Sequence, residues 1–91
     1  MRLDKYLKVS RIIKRRTVAN EACDQGRVTL NGRIARASSE VKPGDTVEVR
    51  FGSRLLTVEV TSVQETVHKE DAAEMYRLVS EERIEREEAQ S

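Results

Sequence analysis

The sequence predicts an α+β fold in which two N-terminal helices pack on a small antiparallel sheet, with a further helix at the C-terminus. Changes in hydrophobic period support this. Apolar residues recur every three to four positions before residue 25, alternate with polar ones from Val28, and regain helical spacing from about Lys69. A chain of 91 residues is expected to form one domain with a modest core.

The two N-terminal helices are predicted from their apolar faces. The first is expected over residues 2–14 and the second from about residue 17 to 25, with Thr17 as a possible N-cap and Gly26 at its end. The face of the first helix consists of Leu3, Tyr6, Leu7, Ser10 and Ile13. The face of the second consists of Val18, Ala19, Ala22 and Cys23.

Two hairpins are predicted to build the sheet. Asn31-Gly32 is a strong signal for a type I′ turn, here between a strand that begins near Val28 and a short basic strand over residues 33–36. A tight turn at Pro43-Gly44 precedes a strand over Thr46–Phe51, which is expected to pair with another over residues 55–63.

The C-terminal part is predicted as an acidic helix and a frayed, charged tail over residues 67–91. Its apolar stripe would consist of Ala72, Met75, Tyr76 and Val79, with glutamates on the other side. We expect this helix to pack on the sheet. The remaining domain is predicted over residues 1–66, with a core motif at 1–51 and its second hairpin strand reaching about residue 63.

Charge is distributed unevenly along the chain. Residues 1–36 hold ten Lys/Arg and three Asp/Glu, a net +7, whereas residues 37–91 hold seven and thirteen, a net −6. The two sums give the +1 of the whole chain. Such an asymmetry indicates a polyanionic partner for the N-terminal half. The alternative is a charged, solvated surface that only keeps the protein in solution.

The basic residues are concentrated on the first helix, at the junction of the two helices and around the Asn31-Gly32 turn. A phosphate backbone would relieve their mutual repulsion and release its own counterions, so we predict RNA binding. Asp4 is expected to have a structural or orienting role, through Lys8 or a neighbouring arginine. The candidate RNA-binding residues are Arg2, Lys5, Lys8, Arg11, Lys14, Arg15, Arg16, Arg27 and Arg33, and Arg36 also flanks the turn.

Other classes of function find little support in the sequence. A single Cys23 and a single His68 provide neither an internal disulfide nor a structural zinc site, and Cys23 is expected to be buried. We expect no cofactor and no catalysis, since the serines have no plausible histidine partner. The charged N-terminus does not resemble a signal peptide, and no apolar run is long enough for a transmembrane helix, so a cytoplasmic protein without a membrane partner is expected.

Four blocks of the sequence resemble the RNA-binding domain named after small-subunit ribosomal protein four, the S4 domain. They are residues 2–7, 14–19, 26–32 and 41–45, in the order of that family. The resemblance implies an αL-type RNA-binding motif of two helices on a small sheet. One departure is Arg15, which stands before Arg16 where the family usually has Ser or Thr, while Thr17 follows.

Over nearly the whole chain, the sequence is similar to a narrower family of bacterial ribosome-quality-control factors and a related ribosome-associated heat-shock protein. This resemblance implies a monomer that binds large-subunit rRNA and P-site peptidyl-tRNA on obstructed large ribosomal subunits. It also implies an elongation factor as partner, which adds alanines to the stalled nascent chain without a template. Phosphate contacts are then expected chiefly from Arg2, Arg11, Arg15 and Arg16.

Three alternative functions are compatible with the sequence. S4 domains are also appended to pseudouridine synthases and tyrosyl-tRNA synthetases, but we expect no second domain here that would hold a catalytic site. The acidic C-terminal segment would suit a protein-interaction adaptor. A generic chaperone of structured RNA or tRNA, or a ribosome-assembly protein, would share the basic face.

Overall fold

The structure, a computed structural model, describes residues 1–64, 72 and 74–83. Within this part of the chain two helices precede one antiparallel sheet of strand order β2-β1-β3-β4-β5, so the α+β prediction is confirmed. The helices are α1 (Leu3–Val9) and α2 (Arg16–Asp24). The strands are β1 (Val28–Leu30), β2 (Arg33–Ile34), β3 (Thr46–Phe51), β4 (Arg54–Val60) and β5 (Tyr76–Arg83).

Helix α1 is shorter than the predicted 2–14. It ends at Val9, and Arg11 then adopts a left-handed conformation with φ 65°. The turn is closed by a bond from the Ile13 amide to the Leu7 carbonyl, at 3.0 Å. This bond folds the chain back, so that Ile13 is only 5% exposed although it lies outside the helix. Its apolar spacing therefore reflects burial beside α1 and not a continuation of it.

The start of α1 is held by a later loop. The amides of Leu3 and Asp4 donate to the carbonyls of Ser39 and Ala37, at 2.8 and 3.1 Å. A helix leaves its first amides without partners inside the helix, and here the loop supplies them. The segment between β2 and β3 is thereby fixed against the N-terminus of the chain.

Helix α2 begins at Arg16, with Arg15 as its N-cap. The proposed N-cap at Thr17 is wrong, because Thr17 lies within the first turn of the helix and no side chain among the described residues caps it. Gly26, with φ 74°, follows the C-terminal end as predicted, since glycine adopts this conformation at little cost.

The first hairpin has the predicted turn, with positive φ at both Asn31 and Gly32. Asn31 also binds the turn before β3. Its side-chain amide donates to Asp45 at 3.1 Å, and its side-chain oxygen accepts from the Thr46 amide at 2.9 Å. The second carboxylate oxygen of Asp45 accepts from the Lys42 amide at 2.9 Å. We call this group of contacts the turn latch.

The predicted C-terminal helix is wrong for residues 76–83, whereas Ala72, Glu74 and Met75 have a 3₁₀ conformation. Tyr76–Arg83 form β5, which pairs antiparallel with β4. Ser80 pairs with Thr57 and Leu78 with Val58, so Val79 is an extra residue in a bulge. The bulge interrupts the alternation along β5, and Val79 is 48% exposed and not part of a buried stripe. Residues 65–71, 73 and 84–91, which include His68 and most of the predicted tail, lie outside the described residues.

One face of the sheet and the apolar faces of both helices enclose a single core. On the sheet, Val28 lies opposite Val49, and Val47 lies opposite Val58; all four are at most 1% exposed. Tyr6 is fully buried, and its hydroxyl donates to the Met75 carbonyl at 2.8 Å. That carbonyl also accepts from the amides of Thr61 and Ser62. Strand β4 ends just before these two residues, at Val60, and not at the predicted residue 63.

Candidate RNA-binding corner

Asp4 is buried at the place where α1 and α2 meet, and it pairs with two arginines. Its carboxylate receives the Arg2 Nε at 3.2 Å and the Arg16 Nε at 3.3 Å. It also accepts from the Asn20 side chain at 3.4 Å and from the Lys5 backbone amide at 2.8 Å. The residue is only 2% exposed. We call Arg2, Asp4, Arg16 and Asn20 the basic corner.

The carboxylate of Asp4 stays charged in these surroundings. Burial by itself raises the pKa of a carboxyl group, but here the hydrogen bonds from Arg2, Arg16 and Asn20 outweigh burial and hold the pKa of Asp4 below its ordinary value. The charge on Asp4 keeps both guanidinium groups in place over the whole neutral pH range.

Arg2 and Arg16 remain open to solvent on their outer sides, with side chains 52% and 47% exposed. An open depression of about 380 Å³ lies beside Arg16 and is lined by Asp4, Arg16, Thr17, Asn20 and Glu21. A guanidinium group has five N–H donors in a planar fork that fits phosphate. Because Asp4 occupies only one edge of each guanidinium, the other edge is available to a ligand.

The N-terminus of α2 adds to the positive potential of the basic corner. Its first amides have no side-chain cap among the described residues, and the helix dipole places a partial positive charge there. The amides of Leu3 and Asp4 at the start of α1 are instead taken by loop carbonyls. The two helix starts therefore differ, and α2 is the one suited to an anion.

The other predicted residues fall into two groups. Lys8, Arg11, Lys14 and Arg15 are exposed along the end of α1 and the connection to α2, while Lys5 is half-buried. Arg27 and Arg33 belong instead to the first hairpin. Arg33 is exposed, whereas Arg27 is half-buried, with an Nε that is buried and has no hydrogen-bond partner in the described structure. The structure thus joins Arg2 and Arg16 through Asp4, which contacts both of them.

Sequence reasoning missed Asn20 as a member of the basic corner. Asn20 follows Arg16 by four residues in α2, so both side chains lie on the same helix face. That spacing was visible in the sequence. The partner was not, because Asp4 lies in the other helix, sixteen residues earlier.

Metal binding and membrane insertion gain no support from the described residues. Within them, no three or more His, Cys, Asp or Glu side chains are grouped in a way that would hold a metal ion. No helix in the described part of the chain is long and apolar enough to cross a bilayer.

The chain matches a known domain family and several named proteins. The S4 domain model matches residues 1–47. The RQC P-site tRNA stabilizing factor of Bacillus subtilis (strain 168) is 58% identical over 84 residues, covering 92% of this chain and 98% of that protein. The protein of the same name from Streptococcus pneumoniae is 58% identical over 85 residues, covering 93% and 97%. These relatives are named as a stabilizing factor and not as an enzyme.

A solved structure has the same architecture. Heat Shock Protein 15 of Vibrio cholerae, described as trimeric, superimposes with a TM-score of 0.81 and 28% identity, covering 88% of this chain and 82% of that one. The S4 match spans both helices and the first hairpin, and the similarity to the stabilizing factors continues through the later strands. The chain therefore belongs to the S4 domain family and, within it, to the family of RQC P-site tRNA stabilizing factors.

Proposed function

We propose that this protein binds structured RNA through the basic corner and acts in ribosome quality control by stabilising tRNA in the P site. The observation that carries the proposal is the pair of half-exposed arginines, Arg2 and Arg16, fixed by one buried carboxylate beside an uncapped helix start. The chain shares 58% identity with proteins named for P-site tRNA stabilisation, which supports tRNA as the ligand.

The physical basis of binding is the neutralisation of phosphates. Each arginine that contacts a phosphate displaces a condensed counterion, and the release of that ion favours binding. Arginine also binds phosphate with two parallel hydrogen bonds, which orients the ligand. Among the predicted residues, Lys8, Arg11, Lys14 and Arg15 are exposed near the same helix junction, and we assign them to the contact surface with Lys5 assisting. Arg27 and Arg33 of the first hairpin extend that surface.

We infer a wider assembly from the resemblance to ribosome-quality-control factors. In it, the protein binds large-subunit rRNA and peptidyl-tRNA on an obstructed large ribosomal subunit, as a monomer in the cytoplasm. It supports template-free alanine tailing of the stalled nascent chain by a partner elongation factor. We also predict that residues 1–66 form the RNA-binding domain of the protein.

Replacement of Arg16 by alanine tests the basic corner. We expect Arg16→Ala to weaken binding to purified large subunits that carry P-site tRNA by about 1–3 kcal/mol, because a charged hydrogen bond and a phosphate contact are lost. Co-sedimentation at several subunit concentrations measures the change. Arg83→Ala is the matched control, since it removes an exposed arginine from β5 and leaves the corner intact. Normal sedimentation of Arg16→Ala would contradict the assignment.

The identity of the bound RNA separates quality control from a general chaperone. Crosslinking in cells, followed by sequencing of the attached RNA, should recover large-subunit rRNA together with tRNA. A broad scatter of mRNAs would instead favour a generic RNA chaperone with the same basic face.

A further inference from the structure

A negative charge at the centre of an RNA-binding surface needs a physical reason. Asp4 carries a full charge within 3.4 Å of nitrogen atoms of both Arg2 and Arg16, so it cancels part of the potential that attracts phosphate. The residue is 2% exposed and does not reach the surface itself. Electrostatics alone would favour its replacement by a neutral side chain, so the benefit of Asp4 has to lie in geometry.

The contacts of Asp4 fix both guanidinium groups in the same way. Arg2 donates Nε to Oδ1 and Nη2 to Oδ2, at 3.2 and 3.4 Å. Arg16 donates Nη2 to Oδ1 at 3.4 Å, and its Nε forms an ion pair with Oδ2 at 3.3 Å. Each arginine thus uses its Nε edge on the protein. Among the described contacts, both Nη1 protons and one Nη2 proton of each arginine are left for another acceptor.

The carboxylate is itself held in one orientation. The Lys5 amide binds Oδ1 at 2.8 Å from within α1, and the Asn20 side chain binds Oδ2 at 3.4 Å from α2. Arginine has a long side chain with large rotamer entropy, and a ligand that must order it loses binding free energy. Two arginines that are ordered before binding avoid much of that loss.

We propose that Asp4 is a positioning residue of the RNA site: it holds Arg2 and Arg16 with their free edges outward, so that its loss weakens RNA binding even though the surface becomes more positive. The inference rests on the proposed function of the basic corner. It assigns Asp4 no contact with RNA, and Asp4 acts through the two arginines only.

Asp4→Asn gives opposite results under the two explanations. If charge alone matters, removal of the carboxylate tightens binding. If Asp4 positions the arginines, the dissociation constant rises about tenfold, because the amide binds two guanidinium groups less well than a carboxylate does. Fluorescence anisotropy with a labelled tRNA transcript, at one fixed salt concentration, measures the difference. Binding as tight as wild type or tighter would overturn the proposal.

Glu21→Gln is the matched charge control. Glu21 lines the same depression and is exposed, and neither arginine contacts its carboxylate among the described contacts. Its removal changes the net charge by the same amount as Asp4→Asn. We expect Glu21→Gln to tighten binding modestly while Asp4→Asn weakens it, and a loss of affinity in both variants would contradict a specific role for Asp4.

A background without the two arginines separates positioning from folding. In the double variant Arg2→Ala/Arg16→Ala, addition of Asp4→Asn should cause no further loss of affinity, since Asp4 has nothing left to position. An equal further loss would show that Asp4 acts through the fold and would overturn the proposal. Wild-type affinity of the double variant itself would overturn both this proposal and the proposed corner. Weak binding of Arg16→Ala with normal binding of Asp4→Asn would overturn only the positioning role.

Asp4→Glu is a second variant that tests the proposal if Asp4→Asn does not fold. Glutamate keeps the charge but places the carboxylate one methylene further out, so the arginines are displaced and we again expect weaker binding. Thermal unfolding followed by circular dichroism identifies the temperature at which each variant is folded for the binding assay. Wild-type binding by folded Asp4→Glu would contradict the need for a fixed arginine geometry.

Discussion

Arg11 has a backbone conformation that arginine seldom adopts. With φ 65° it follows the C-terminal end of α1, a position at which glycine or asparagine is common. The left-handed conformation costs a residue with a side chain about 1–2 kcal/mol, while glycine loses about 0.5–1 kcal/mol more through chain entropy. Glycine would therefore be the better residue here for stability alone, and the side chain of Arg11 is exposed to solvent.

Arg11→Gly should separate stability from binding. We expect the free energy of unfolding to rise by about 0.5–1 kcal/mol, from the difference between the two costs, while affinity for large subunits falls. Urea unfolding and co-sedimentation measure the two quantities. A variant that is more stable and binds with unchanged affinity would exclude Arg11 from the contact surface.

Cys23 provides a test of the core. The side chain is 4% exposed, as expected from its place on the apolar face of α2, and burial, with further contributions from Asp4 and Asp24, raises the pKa of its thiol to about 11. Because the thiolate is the reactive form, the folded protein should resist iodoacetamide at pH 8 and react after unfolding in urea. Mass spectrometry detects the adduct, and rapid labelling without denaturant would contradict the buried position.

The same shift in pKa affects stability at alkaline pH. The unfolded thiol loses its proton near its ordinary pKa of 9.0, whereas the folded thiol keeps it to about 11. The contribution of the buried Cys23 thiol to the free energy of unfolding is thus fully present below pH 9 and is lost as the pH rises toward 11. Cys23→Ala should remove this component of the pH dependence.

At the scale of elements, the local signal for the first hairpin turn predicts the structure correctly, whereas the N-cap at Thr17 and the C-terminal helix over residues 76–83 are wrong. The type I′ turn at Asn31-Gly32 was predictable because its two residues determine its geometry. Strand β5 was not, because it depends on pairing with β4 and contains a bulge at Val79. The length of α1 was overestimated for a similar reason, since Ile13 is buried by a turn whose spacing imitates a helix.

The turn latch should contribute to stability through Asp45. This carboxylate accepts from the Asn31 side chain and the Lys42 amide, and so joins two loops fourteen residues apart. Both bonds are exposed to solvent, so we expect Asp45→Ala to cost only about 1 kcal/mol in chemical unfolding. Glu82→Ala, an exposed acidic position on β5, is the control and should change little. Equal unfolding midpoints for both variants would argue against the latch.

For the whole molecule, the uneven distribution of charge was predictable by counting, but the basic corner was not. Counting identifies the N-terminal half, net +7 over residues 1–36, as the basic one. It gives no indication that a buried Asp4 connects Arg2 with Arg16, because that contact exists only once α2 has folded against α1. The sequence shows which residues are basic, whereas their arrangement arises only in the tertiary structure.

Salt dependence tests the basic half as a unit. If four to seven phosphates are neutralised, the logarithm of the binding constant should fall against the logarithm of salt concentration with a slope of about −3 to −6. Arg16→Ala should reduce the magnitude of the slope by about one, and Arg83→Ala should leave it near the wild-type value. Titrations of a labelled tRNA transcript at several potassium chloride concentrations give the slopes. A flat response would favour the protein-adaptor alternative.

The hydrogen bond between Tyr6 and Met75 bears on the order in which the protein is completed during its synthesis. Tyr6 emerges early, yet the carbonyl that its hydroxyl needs belongs to a residue 69 positions later. Until that residue is available, the side chain lacks the partner that makes its burial favourable, and closure of so long a chain segment is slow. The final packing of Tyr6 in α1 therefore requires a residue that is made long after the helix itself.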